Sequence, residues 1–227
     1  MKKILLSLSM VLVVGVVVAG ATGAFFADTA VSGSNTFSSG TMNLRLTDSN
    51  ETNQDSVSAS FGGTALAPGA VIPQQTILLA NAGSVNGDHI DLTVAIDPPG
   101  TGTDLAKNLV FTGTDGLRLG TGPGAGANIL SVLSGGAQDS DYAVTNGLTG
   151  ALLGDIRGLD GVAGLSVKDL QLAGKIRIQK AGMNGGINAG TSATLFSNIV
   201  VANTLTTQGE TLTATFTFAL EQDATQF

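Results

Sequence analysis

The chain has no cysteine and no tryptophan, one tyrosine, one histidine, and only 12% charged residues among 227. Each shortage excludes some chemistry. Without cysteine there is no disulfide framework, thiol nucleophile, iron–sulfur cluster or thiolate zinc site, so the fold must rest on buried apolar surface. With His89 as the single histidine, no HExxH zinc motif can be written. A Ser-His-Asp triad would have one candidate base and no nucleophile elbow to serve. His89 reads as a polar residue opening a strand beside Asp88. Aromatic platforms for sugars are also missing, which counts against a monomeric surface adhesin. Ten Lys and Arg stand against 17 Asp and Glu, a net charge of −7. No basic patch is available to neutralise phosphates, so nucleic acid is not an expected partner.

What the sequence does have begins at its first residues. Lys2 and Lys3 precede an apolar run from 4 to 21, and Thr22-Gly23-Ala24 supplies small residues after it. This is the pattern of a secretory signal peptide, read as residues 1–24, with signal peptidase cutting between Ala24 and Phe25. A retained membrane anchor is the competing reading, because the run is nearly long enough to span a bilayer. The polar residues that follow (Asp28, Ser32, Ser34, Asn35) argue against an apolar helix on the mature side. Cleavage removes 24 of 227 residues and leaves 203. Two of the ten basic residues go with it and none of the 17 acidic ones, taking the charge from −7 to −9. That length suits one β-sandwich domain.

Period-two alternation dominates the rest. Met42, Leu44 and Leu46 alternate with polar residues, as do Ile90, Leu92, Val94 and Ile96. Near the end Leu212, Ala214, Phe216, Phe218 and Leu220 face one way, with Thr211, Thr213, Thr215 and Thr217 facing the other. Each pattern predicts a strand with one face on a core. Shorter strands are expected over 57–61, 76–81, 109–112 and 175–179. Asn86-Gly87, Asn146-Gly147 and Asn184-Gly185 are turn signals, and Pro98-Pro99-Gly100 stops the second strand. The fold class that follows is all-β: a jelly-roll-like antiparallel sandwich with a glycine-rich elaboration over 98–173 and one or two short helices. The helices are expected over 103–108 and around 169–172. No second set of apolar strands is evident in the elaboration.

Other motifs carry little. The glycine loop over 120–126 lacks the strand-before, helix-after context of a phosphate cradle and reads as a flexible loop. Asp139-Ser140-Asp141 and the pair Asp155 and Asp160 could give oxygens to calcium, but neither fits an EF-hand, and solvated carboxylates are the expectation. Asn50-Glu51-Thr52 is the only N-glycosylation sequon.

The most specific signal is a set of short blocks in order. Ala24-Phe25-Phe26-Ala27-Asp28-Thr29 is followed by Asn35-Thr36-Phe37-Ser38-Ser39-Gly40-Thr41-Met42-Asn43-Leu44. Then come Leu66-Ala67-Pro68-Gly69, Leu79-Ala80-Asn81-Ala82-Gly83-Ser84 and the closing Ala224-Thr225-Gln226-Phe227. Together they resemble the TasA/camelysin family. The likeness covers residues 24–97 and 209–227 and is thin over 98–173. It implies a jelly-roll-like sandwich over 41–227 and a donor strand with linker over 25–40. It further implies export by the general secretory route and head-to-tail assembly into biofilm-matrix fibres or related bundling pili. Phe25, Phe26, Val31 and Phe37 are then the residues expected to insert into the next copy, as β-augmentation requires. The expected partners are the chain itself and an accessory or nucleating matrix subunit. The expected location is extracellular matrix or cell surface. Camelysin's description as a cell-surface metalloprotease keeps an enzyme as the alternative, but the residues offer no ligand set for a metal. No catalytic residue, metal or cofactor is expected.

Overall fold

Side chains two apart on an extended chain share a face, and the strands sort their apolar residues accordingly. The computed structural model describes residues 3–4, 41–48, 51–54, 66–97, 104–138, 142–180, 187–207, 209–210 and 212–222. The chain divides into two compact units, Met1–Ser39 and Gly40–Phe227. Every strand among the described residues belongs to the second unit.

In chain order the elements of that unit are β1 (Leu44–Thr47), β2 (Val71–Asn81), β3 (His89–Asp97), α1 (Asp104–Asn108), β4 (Leu109–Phe111) and β5 (Leu117–Gly120). They continue with β6 (Ala127–Asn128), α2 (Ile129–Leu133), β7 (Tyr142–Asn146), α3 (Val167–Ala173), β8 (Ile176–Lys180), β9 (Ser192–Val201) and β10 (Thr213–Glu221). The predicted strand over 57–61 lies outside the described residues. One sheet runs β1-β2-β9-β5-β6, with β4 also on β9. The other runs β10-β3-β8-β7. Every pairing is antiparallel. Consecutive strands β2 and β3 lie in opposite sheets and pair with β9 and β8, which are also consecutive. β5 and β7 then follow beside β9 and β8. This is the rolled-up order of a jelly roll, as expected.

The two inner faces meet in one core. Ile77, Leu195 and Leu119 form a row across the first sheet, and Ile90, Ile178 and Val144 form one across the second. All six are buried. Burying a leucine or isoleucine fully contributes about 1.5–3 kcal/mol. The second strong strand stops at Asp97, just before the two prolines, as its sequence predicts. The sequence Leu66-Ala67-Pro68-Gly69 is a turn in which Ala70 N donates to Ala67 O, with Gly69 at φ +79. Proline presets the first central position and glycine alone tolerates the second.

The stretch 98–173 elaborates the one sandwich, as expected: beside the expected strand β4 it holds β5, β6 and β7, which extend the two sheets. Two expectations need correction. Helices number three among the described residues of the second unit, not one or two. The strand β9, which the alternation did not show, is the centre of the first sheet. Among the described residues no helix is long and apolar enough to cross a membrane.

Candidate functional site

The residues expected to act in assembly, Phe25, Phe26, Val31 and Phe37, and the cut between Ala24 and Phe25, lie outside the described residues. What is described is the place where that segment joins the sandwich. Ala82 N donates to Asn43 O at 2.8 Å, and Ser84 N donates to Thr41 O at 2.8 Å. Thr41 N in turn donates to Ser84 Oγ at 3.1 Å. The two motif blocks Thr41-Met42-Asn43-Leu44 and Asn81-Ala82-Gly83-Ser84 therefore clasp each other. A Cβ on Gly83 would stand 2.2 Å from Thr41 O and 2.8 Å from Asn43 N. Only a residue without a side chain lets the backbones approach so closely. Asn81, itself buried, ties the clasp to the body by donating to Val85 O and Ile187 O.

The edges of the two sheets differ in how they end. β7 is sealed: its Thr145 bridges Leu152, and Leu153 N donates to Val144 O. The Gln138 amide completes the seal, donating to Val144 O and Leu153 O and accepting from Val144 N. β1 has four residues, and Leu46 exchanges both backbone hydrogen bonds with Gln54. β6 has two residues and passes straight into α2. β10 has nine residues and, among the described residues, one neighbour, β3. Its Thr213, Thr215 and Thr217 are exposed, while Ala214, Phe216 and Phe218 on the core side are half-buried.

Beside that edge, on the outer face of the second sheet, lies a buried charge cluster. Register sets Asp91 opposite Arg177 and His89 opposite Gln179. Asp91 Oδ1 accepts from Arg177 Nε at 3.1 Å, and Lys175 Nζ lies 3.1 Å from Oδ2. The second contact is an ion pair without hydrogen-bond alignment, since Oδ2 makes no hydrogen bond. Asp88 Oδ2 accepts from Gln179 Nε2 at 2.8 Å and lies 3.1 Å from His89 Nδ1. If that bond uses the Nδ1 proton, neutral His89 turns a bare Nε2 towards Asp91 Oδ2, 3.8 Å away and beyond hydrogen-bond distance. His89 does open β3, but it is fully buried, which its sequence context did not suggest. Removing one member of a buried ion pair strands the other and costs about 3–5 kcal/mol. The cluster therefore locks β3 to β8. Two cations on one carboxylate also make it a poor cation site. Among the described residues no group of three or more His, Asp and Glu could hold a metal.

The remaining candidates are structural. Asp160, expected to be solvated, accepts from Ser166 Oγ at 2.6 Å and from Val162 N at 2.8 Å. Ser166 and Asp169 form a capping box on α3, and burial pushes the Asp169 carboxyl above its usual range. Asp155 is exposed, and its hydrogen bonds with the Arg157 side chain hold its pKa at about 2. Asp139-Ser140-Asp141, Asn50 and Asn184-Gly185 lie outside the described residues. The glycine loop does have a strand before it, β5, and α2 begins at Ile129, so its context was misjudged. Even so, Gly124 N is taken by Asp115 Oδ1 at 2.8 Å, so this N–H is not offered to a phosphate. No protein-family model matches the chain, and no curated protein matches it significantly.

Proposed function

We propose that the protein is a secreted structural subunit that polymerises head to tail into extracellular fibres, its N-terminal segment completing the sandwich of the next copy. The observation that carries this reading is the clasp at Gly83. It fixes the described start of the sandwich, Thr41, directly after the segment in which the family motifs put the donor strand. The blocks that resemble the TasA/camelysin family are the same blocks that build the clasp. The segment 25–37 alternates apolar residues with polar ones and is long enough to serve as a strand. A head-to-tail contact that does not close on itself generates a filament. The body brings little to an enzyme reading: its only histidine is buried between carboxylates and cations.

Electron microscopy of the purified protein, with and without residues 25–37, tests the proposal. Filaments are expected from the intact protein and none from the truncated one. Filaments of unchanged diameter and repeat after the deletion would sink it. A milder version is Val31→Asp, which sets a charge in an apolar pocket and should slow assembly without unfolding the sandwich.

A further inference from the structure

We propose that the Lys175 amine condenses with the Asp91 carboxyl to an amide, releasing water, with His89 carrying the proton between them. The bond ties β3 covalently to the start of β8. It forms within one subunit, whether or not copies assemble.

Buried polar atoms almost always find a hydrogen-bond partner, and each exception calls for a reason. Among the described residues two such exceptions face each other at 3.8 Å, His89 Nε2 and Asp91 Oδ2. An ion-pair cluster kept for stability alone explains neither. Lys175 Nζ is 3.1 Å from Oδ2 and has protons to give, yet no hydrogen bond forms. Condensation removes both exceptions: Oδ2 leaves as water, and the amide N–H it leaves behind can turn to Nε2. It also replaces two partly or wholly buried charges with a neutral amide, which is far less costly to hold away from water.

Each group around the Asp91 carboxyl has a part in the step. Lys175 Nζ is the nucleophile and Asp91 Cγ the carbon attacked. Arg177 Nε donates to Oδ1 at 3.1 Å, so the oxygen that stays has a donor in place as negative charge gathers on it. Oδ2, the oxygen that goes, has no hydrogen bond to give up. With its Nδ1 proton turned to Asp88, His89 has a lone pair on Nε2. It accepts a proton from the attacking nitrogen and passes it to Oδ2. Such contacts are often long in the resting site and tighten as charge develops. The balance needs no other reactant. The Nζ–Cγ bond forms and the Cγ–Oδ2 bond breaks. Of the three ammonium protons two leave with Oδ2 as water and one stays on the amide. One positive and one negative charge cancel, and nothing is oxidised or reduced. The lysine stem is held for this. Gly147 N donates to Lys175 O at 2.8 Å, and a Cβ on Gly147 would stand 2.4 Å from Lys175 Cδ. The bare glycine lets the stem lie against the turn with its amine at Asp91, which pre-sets the approach.

Mass spectrometry of the purified protein, denatured and digested, tests the bond. The expected result is one peptide in which Asp91 and Lys175 are joined, lighter than its two parts by one water, and no tryptic cut after Lys175. Lys175→Arg keeps the positive charge and should yield the two peptides separately. Separate peptides from the unaltered protein, after it has stood folded for days at neutral pH, would overturn the proposal. So would water lost from Asp91 with Lys175 still free, which is a succinimide, or Lys175 joined to another residue. His89→Gln keeps a polar side chain beside Asp88 but cannot carry a proton. With its fold checked by circular dichroism, bond formation followed in cell-free synthesis should slow by about a hundredfold. An unchanged rate would strike His89 from the step.

Discussion

β9 and β10 are neighbours in sequence and opposites in setting. β9 lies in the middle of its sheet, with β2 on one side and β4 and β5 on the other. Leu195, Phe196 and Ser197 are buried in succession, so side chains on both of its faces are covered. Among the described residues β10 lies at the rim of the other sheet, with its threonine face exposed and its other face half-buried. The strand that holds the fold together carries no alternation, while the strand at the rim carries the plainest. Alternation records a difference between two faces, and a strand covered on both has none to record.

The largest test of this contrast is a pair of truncations. Leu195→Ala should cost about 2–5 kcal/mol, as expected for a leucine removed from a closed core. Thr217→Ala on β10 should change stability by no more than about 0.5 kcal/mol. Urea denaturation of the sandwich measures both, and similar costs for the two would break the distinction between centre and rim. Gly83→Ala comes next. Its methyl group collides with Thr41 O, and forcing it in should cost about 1–3 kcal/mol. It loosens β1 and the clasp but leaves β9 and β10 untouched, so filament yield should fall more than core stability does.

The smallest effect is acid sensitivity. Asp104 accepts from the backbone N–H groups of Thr207 and Thr206, and these hold its pKa below 3.8. A carboxyl lowered in the fold gives stability that is present above its unfolded value and lost as pH falls through the folded one. The clip between α1 and the β9–β10 connection should therefore weaken below about pH 3.8. Asp104→Asn should flatten that acid limb in a denaturation series. Asp169 has the opposite sign. Its pKa is raised by burial, so its contribution is best at low pH and declines as pH climbs past 3.8.

Much of the fold was legible because much of it is one-sided. β3, β4, β10, α1 and α3 fall where alternation, prolines and caps put them, to within a few residues. β5 was missed for the same reason as β9: Leu117, Arg118, Leu119 and Gly120 are all buried. Only half of the site could be read. The blocks around Thr41 and Gly83 are visible as motifs, but their contact exists only once β1 has paired with β2. The charge cluster carried no signal at all. Asp91 and Arg177 are 86 positions apart, and nothing local to either announces that register will set them opposite each other.

Gln138 has a consequence in polymer chemistry. Its amide mimics a peptide group, giving Val144 the donor and acceptor that another strand would supply. With β7 stoppered in this way, a subunit that assembles by strand addition, as proposed above, has one edge fewer on which to receive a neighbour. Bifunctional monomers make linear chains, whereas a third reactive end would make branch points and gels. On the fibre reading, one side chain thereby limits the valence of the subunit, and with it favours a thread over a network.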